Sequence, residues 1–322
     1  MTLIIVTILT GIVIQLRGTT TEEDPFTQAL SVILITPHFL LSIWMFYLQK
    51  GRRFRNFDRA HHWAAWGFPV LYWSVLTCAA LWPLHSVIPN FHRLTTALIL
   101  WHFVKQSYGI ALQQAYRRQY SFDPQLRNLL HYWFIWIAIH VWVGQNLDGS
   151  RVRYFGLAFS SLSLPLRLHQ LSSTVLVALS SLLVAKAIRS HFRLNRDARI
   201  PREALITVLI TAVWLLPMGS NPTLWLLIPG LHALQHLLFA VPISWRLSLR
   251  KPIPHISGAL FFAVGLGLLH YGVKVLDQEL PLLGGKVGIM GWQFSVATFM
   301  NLHHYFIEGA LWAPGEGDIK QT

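Results

Sequence analysis

Ten predominantly apolar runs, near 2–16, 28–49, 63–82, 94–115, 128–146, 171–188, 203–219, 223–246, 257–275 and 288–312, occupy most of this 322-residue chain. A bilayer core about 30 Å thick takes about 20 such residues per helix, and each span must satisfy its own backbone amides because no water reaches them there. The runs predict an all-α fold: a polytopic transmembrane bundle of about ten spans. No polar stretch between them is long enough for a soluble domain, so residues 1–322 are expected to form a single integral membrane domain. Composition agrees, with 12% charged residues against roughly 25% in an ordinary soluble domain. The run 2–16 reads as a retained first helix, since it lacks the basic leader and small-residue cleavage site of a signal peptide. The stretch 154–168, interrupted by Pro165, reads as interfacial or re-entrant rather than as another span.

A formal net charge of +13 would suit nucleic acid, but the Lys and Arg residues lie in short tracts between apolar runs, without the aromatic and basic modules that read bases. Nucleic acid is therefore excluded as an expected partner. The basic residues instead signal topology, because cytoplasmic loops carry an excess of Lys and Arg. Alternate loops, including 50–60, 116–127, 189–202 and 246–254, hold eighteen basic residues on one side against seven on the other. Both termini are thus expected in the cytoplasm, in a bacterial inner membrane. Trp63, Trp66, Tyr132, Trp133, Trp245 and Trp312 cluster near span ends, as interfacial anchors do. The single cysteine, Cys78, rules out an intrachain disulfide and a cysteine-ligated cluster.

Against this background the histidines stand out, since polar groups inside a membrane are costly and mark function by default. His38, His102, His232, His236, His303 and His304 all fall in the middle portions of apolar runs, together with one carboxylate, Glu308. Residues four apart share a helix face. His232 and His236 can therefore point into one cavity, and His102 with Gln106 and His304 with Glu308 repeat that spacing. Neutral imidazole suits iron, zinc or copper, and its second ring nitrogen needs an acceptor to fix the tautomer. The expected metal ligands are His38, His102, His232, His236, His303, His304 and Glu308, with Glu308 also an orienting base and Gln106 a supporting catalytic partner. His303 and His304 point about 100° apart on a helix, so one can ligate while the other hydrogen-bonds, and Glu308 favours His304. His140 and His270 read as packing residues. His61, His62, His85, His92, His131, His191 and His255 lie near span ends and read as interfacial.

The motifs His102-x-x-x-Gln106-x-x-Gly109, His232-x-x-Gln235 and His303-His304-Tyr305-x-x-Glu308-x-x-x-Trp312 resemble those of a family of uncharacterised bacterial multi-span membrane proteins. Pro37-His38 and Trp101-His102-Phe103 loosely resemble span motifs of membrane β-carotene dioxygenases of the bacteriorhodopsin-related-protein type, though the Asp-His companion of that family is missing. The fatty-acid desaturases and hydroxylases are similar only in histidine richness, since their H-x-x-H-H boxes are absent. The resemblance implies a chemistry class without a substrate.

The leading expectation is a membrane-embedded metalloenzyme: a histidine-ligated non-haem iron oxygenase, supplied by an electron donor and acting on a lipophilic isoprenoid, carotenoid or acyl chain among the membrane lipids. Zinc and copper fit the same donors. A haem-binding electron-transfer protein is an alternative, with two axial histidines. A transporter of metal ions or protons is another, with Pro37, Pro229 and Gly230 beside His38 and His232 as the sites of broken helices.

Overall fold

A computed structural model describes residues 37–49, 59–81, 87–147, 151–154, 157–192, 199–219, 230–237 and 292–311. The runs 2–16 and 257–275, both chain ends and the loop 246–254 lie outside the described residues. The described chain is helical, as the apolar runs predict. In order come α1 (37–49), α2 (59–81), α3 (Val87–Arg117), α4 (Pro124–Gln145), α5 (Leu166–His191), α6 (Arg202–Leu215), α7 (230–237) and α8 (Trp292–Leu311). Each coincides with one apolar run. A short two-stranded sheet pairs β1 (Arg151–Tyr154) with β2 (Leu157–Ser160), and β2 falls within the stretch read as interfacial or re-entrant.

Among the described residues only one helix, Leu166–Ser190 within α5, is both long and apolar enough to cross a membrane. Eight of the ten runs thus coincide with described helices, but only one of those helices has the length and apolar character of a span. The physical reason is visible in α8, where Gln293, Asn301, His303, His304 and Glu308 dilute the apolar content of a 20-residue helix.

The chain divides into two compact units. The first draws on Thr96–Arg153 and Ala158–Ile228 and contains most of α3 with α4, α5 and α6. Asp123 caps α4, its side chain accepting the Leu126 amide at 2.9 Å, and Pro124 supplies the first helical position, where a missing N–H costs nothing. Leu126, Leu130, Phe134, Ile137 and Val141 recur at helical spacing and form the buried stripe of α4. Paired polar groups join the helices. The Trp133 indole donates to Ser180 at 2.9 Å, His140 Nδ1 lies 2.9 Å from Ser172 Oγ, and Thr207 donates to Gln114 at 3.3 Å. Arg118 pairs with Glu203 where α3 ends and α6 begins.

The second unit draws on Glu23–Thr95 and Pro229–Thr322. Its core joins Leu41, Trp44, Met45 and Phe46 of α1, Ala64 and Ala65 of α2, and Ile307 and Ala310 of α8. Alanines at such a crossing let helix backbones approach closely, which dispersion packing rewards even where lipid removes the usual hydrophobic driving force.

Helix α2 is interrupted by a π-helical turn at Trp63–Gly67, and the sequence supplies its cause. The Phe68 amide reaches back to the Trp63 carbonyl, so in this widened register the carbonyl of Ala64 would need the amide of residue 69. Residue 69 is proline and has no N–H. Two other helices fill the gap. His303 Nε2 of α8 lies 3.1 Å from the Ala64 carbonyl, and the Tyr47 hydroxyl of α1 donates to the Ala65 carbonyl at 3.2 Å. The turn also brings the Trp63 ring against Gly67, where any Cβ would collide with it. A second π segment, Trp44–Gln49, closes α1.

Candidate metal centre

Three helices of the second unit bring five potential metal donors together. Helix α1 contributes His38 one residue after Pro37, α7 contributes His232 and His236, and α8 contributes His304 and Glu308. All five side chains are buried. The i,i+4 expectation is met on α8, where His304 Nε2 lies 3.4 Å from Glu308 Oε1.

Glu308 is the hub of the polar network. Its Oε1 lies 2.5 Å from His236 Nε2 and 3.2 Å from the hydroxyl of Ser42, which is fully buried. Ser42 also lies 3.3 Å from the His38 backbone carbonyl, so its single proton is shared between α1 and Glu308. His236 Nδ1 in turn lies 2.7 Å from His38 Nδ1. Two imidazole nitrogens at that distance need one proton between them. The arrangement that satisfies every link protonates His236 at Nε2, toward the carboxylate, and lets its Nδ1 accept from His38. A carboxylate thus orients one imidazole, and that imidazole orients the next, as outer partners do around metal ligands.

The rings pack edge to face rather than in a stack. His38 meets His232 at a centroid distance of 5.4 Å and 90°, His236 at 4.3 Å and 72°, and His304 at 4.1 Å and 70°. Phe39 closes one side, 5.0 Å from the His304 ring. Edge contacts bring ring nitrogens toward one another. Donor atoms of His38, His232 and His304 lie within 4.8 Å of one another, and the same holds for His38, His236 and Glu308. This buried His/Glu cluster can hold a metal ion, because lone pairs converging in a core gain from a shared cation what they would otherwise lose in mutual repulsion.

His303 does not join it. The expected ligand set included both members of the doublet, but His303 turns away from its neighbour and binds the Ala64 carbonyl left without a backbone donor above Pro69. A carbonyl only accepts, so Nε2 carries the proton and is not a ligand in this arrangement. Tyr47 completes the environment at 3.1 Å, and the ring stacks on Phe299 at 5.0 Å and 19°. His303 serves the helix bulge, and His304 the cluster.

The remaining expected residues, His102 and Gln106, lie on α3 in the first unit, where His102 is buried and the Gln106 side-chain amide makes no hydrogen bond among the described residues. His140 behaves as a packing residue, bonded to Ser172 and stacked on His169 at 4.4 Å. Two residues escaped the sequence reading. Ser42 carries no motif, and only its spacing of four from His38 on one helix face could have drawn attention to it. His61, expected at an interface, is buried and stacks on Phe46 at 5.6 Å and 10°.

Comparisons with family models, with curated proteins and with solved structures return no match to this chain.

Proposed function

We propose that this protein is a membrane-embedded metalloenzyme, a histidine-ligated non-haem iron oxygenase acting on a lipophilic substrate such as an isoprenoid, carotenoid or acyl chain. The observation that carries the reading is the buried assembly of His38, His232, His236, His304 and Glu308 from three helices. Imidazole-rich donors with a single carboxylate suit iron(II), with zinc and copper as competitors for the same nitrogens. The metal would supply dioxygen activation. His38 binds it through Nε2, together with His232 and His304; His236 joins them where the ion displaces the proton that its Nδ1 accepts from His38, Glu308 orients His236 and neutralises charge, and Ser42 holds Glu308. Sequence adds His102 to the ligands and Gln106 to their support, through their depth in the run 94–115.

Membrane embedding in about ten spans, with both termini cytoplasmic, belongs to the same proposal. It draws support from the apolar runs and from α5, where Leu171, Val177, Leu182, Val184 and Ile188 are exposed, as suits a helix facing lipid. A substrate dissolved in the bilayer reaches such a site without crossing water, and an electron donor supplies the reducing equivalents that oxygenation consumes.

The test is metal analysis with an optical spectrum on protein purified and freed of any histidine tag. Iron retained through chelating washes, without a Soret band, is the expected result. A Soret band would replace the reading with a haem protein. Metal lost at once to the chelator would favour transport.

A further inference from the structure

The first unit gathers the ends of four helices into one basic corner. Lys186 Nζ of α5 donates to Gln125 at the start of α4, 3.2 Å away, and the Ile200 amide ahead of α6 donates to Ser190 of α5 at 3.1 Å. Arg118, just past the end of α3, pairs with Glu203 at the start of α6. The segments that meet there, 116–127 and 186–203, carry three and six Lys or Arg, nine in all, against three carboxylates. Two of those carboxylates are engaged, since Asp123 caps α4 and Glu203 binds Arg118. The corner therefore keeps a large positive surplus.

Helix α5 leads away from this corner along an apolar flank. Ala178, Leu182, Ala185 and Arg189 are exposed and recur at spacings of four, three and four, which is one face of a helix. Lys186 follows Leu182 by one turn and borders the same face, half-buried beside α4. From Ala178 to Arg189 the helix axis advances about 16 Å, against about 15 Å for half of a bilayer core. An apolar flank of one leaflet's depth thus ends on two cations a turn apart. Among the described residues no carboxylate pairs with either of them. Exposed Tyr116 stands at the same end, as interfacial aromatics do.

We propose, resting on the membrane-embedding reading above and independently of the metal, that this corner binds one anionic phospholipid of the cytoplasmic leaflet. Its phosphate sits between Lys186 and Arg189, and an acyl chain runs along Leu182 toward Ala178. Basic pockets between helices at the cytoplasmic side take anionic headgroups in this way. A zwitterionic lipid brings a cation of its own to a corner already rich in them, so a net negative headgroup is favoured. A free phosphate would satisfy the two cations but leave the apolar flank uncovered. A phospholipid serves both.

The experiment offers phosphatidylglycerol or phosphatidylcholine with matched acyl chains to full-length protein stripped of native lipid in detergent. Native mass spectrometry then counts the lipid retained. Wild type is expected to keep one phosphatidylglycerol per chain and to favour it over phosphatidylcholine by about tenfold or more. The double substitution Lys186→Gln with Arg189→Gln should weaken retention about 25-fold, from about fivefold for each cation at an anionic surface. Arg127→Gln should leave it unchanged, because Arg127 belongs to the same corner but lies about 200° around α4 from Gln125. Equal retention of both lipids by wild type, an unaffected double variant, or an equal loss from Arg127→Gln overturns the proposal and leaves membrane embedding in place. Displacement of the lipid by inorganic phosphate also overturns it, in favour of a free-anion site. Protein that stays in solution without detergent overturns both the lipid site and the embedding. The wild-type comparison of the two lipids needs no variant to fold.

Discussion

The two units bury polar side chains on opposite plans. In the first, several polar groups meet a dedicated partner across a helix pair, as Trp133 meets Ser180, His140 meets Ser172 and Thr207 meets Gln114. Such bonds fasten helices together at about 0.6 kcal/mol each in a bilayer. In the second unit, Glu308 alone lies within hydrogen-bonding or ion-pair distance of His236, His304 and Ser42, and His38 belongs to two donor sets. A fold that needed only to fasten helices would have no use for that convergence. The contrast separates polar groups that hold the structure from polar groups held by it.

Substitutions can break or sharpen that contrast. The largest effect is expected at His38, the residue shared by both donor sets. His38→Ala should reduce metal affinity by more than about 100-fold, beyond the 10- to 100-fold scale of outer partners, as read by elemental analysis after dialysis; near-normal metal content would remove α1 from the centre. Glu308→Gln keeps the shape of the side chain but loses its charge, and should weaken binding roughly 10- to 100-fold. Its measurement is a competition titration against a chelator of known affinity, and a silent variant would eliminate the carboxylate.

His303→Ala should act on a different observable. Leaving the Ala64 carbonyl buried and unbonded costs about 1–3 kcal/mol, visible as a lower melting temperature with metal content unchanged. Metal loss from this variant would contradict the division of labour between His303 and His304. The smallest effects belong to the first unit: Ser180→Ala and His140→Gln should each lower stability by about 0.6 kcal/mol and leave metal content untouched. A loss at His140 equal to that at Glu308 would erase the contrast between the units.

Much of the cluster is legible in the sequence because helical periodicity is simple arithmetic. The pairs His232/His236 and His304/Glu308 follow from a spacing of four, and the placement of His38 from its depth in an apolar run. The same arithmetic says nothing about which helices meet, so the edge-to-face contacts of His38 with His232, His236 and His304 could not be read from spacing. Ser42 was silent since a serine in an apolar helix usually bonds its own backbone, and its reach to Glu308 crosses 266 positions of sequence. The hydrogen-bond partner of His303 was hidden for a related reason. Its role is set by Pro69, on another helix, and no local pattern links them. Helix positions were readable throughout the described chain, but helix character was not: polar residues recruited to the site make α8 a poorer span than its length suggests.

The 266 positions between Ser42 and Glu308 also set a schedule. At synthesis rates of about 5–20 residues per second, α1 emerges roughly 13–53 s before the carboxylate that completes its surroundings. Throughout that interval His38 and Ser42 exist without α8, so no ion can be captured in finished form while the ribosome is working on the intervening helices. Any metallation of the cluster would therefore be a late event, following synthesis of nearly the whole chain. A chain arrested before residue 304 would carry three of the four clustered histidines and still be unable to complete either set.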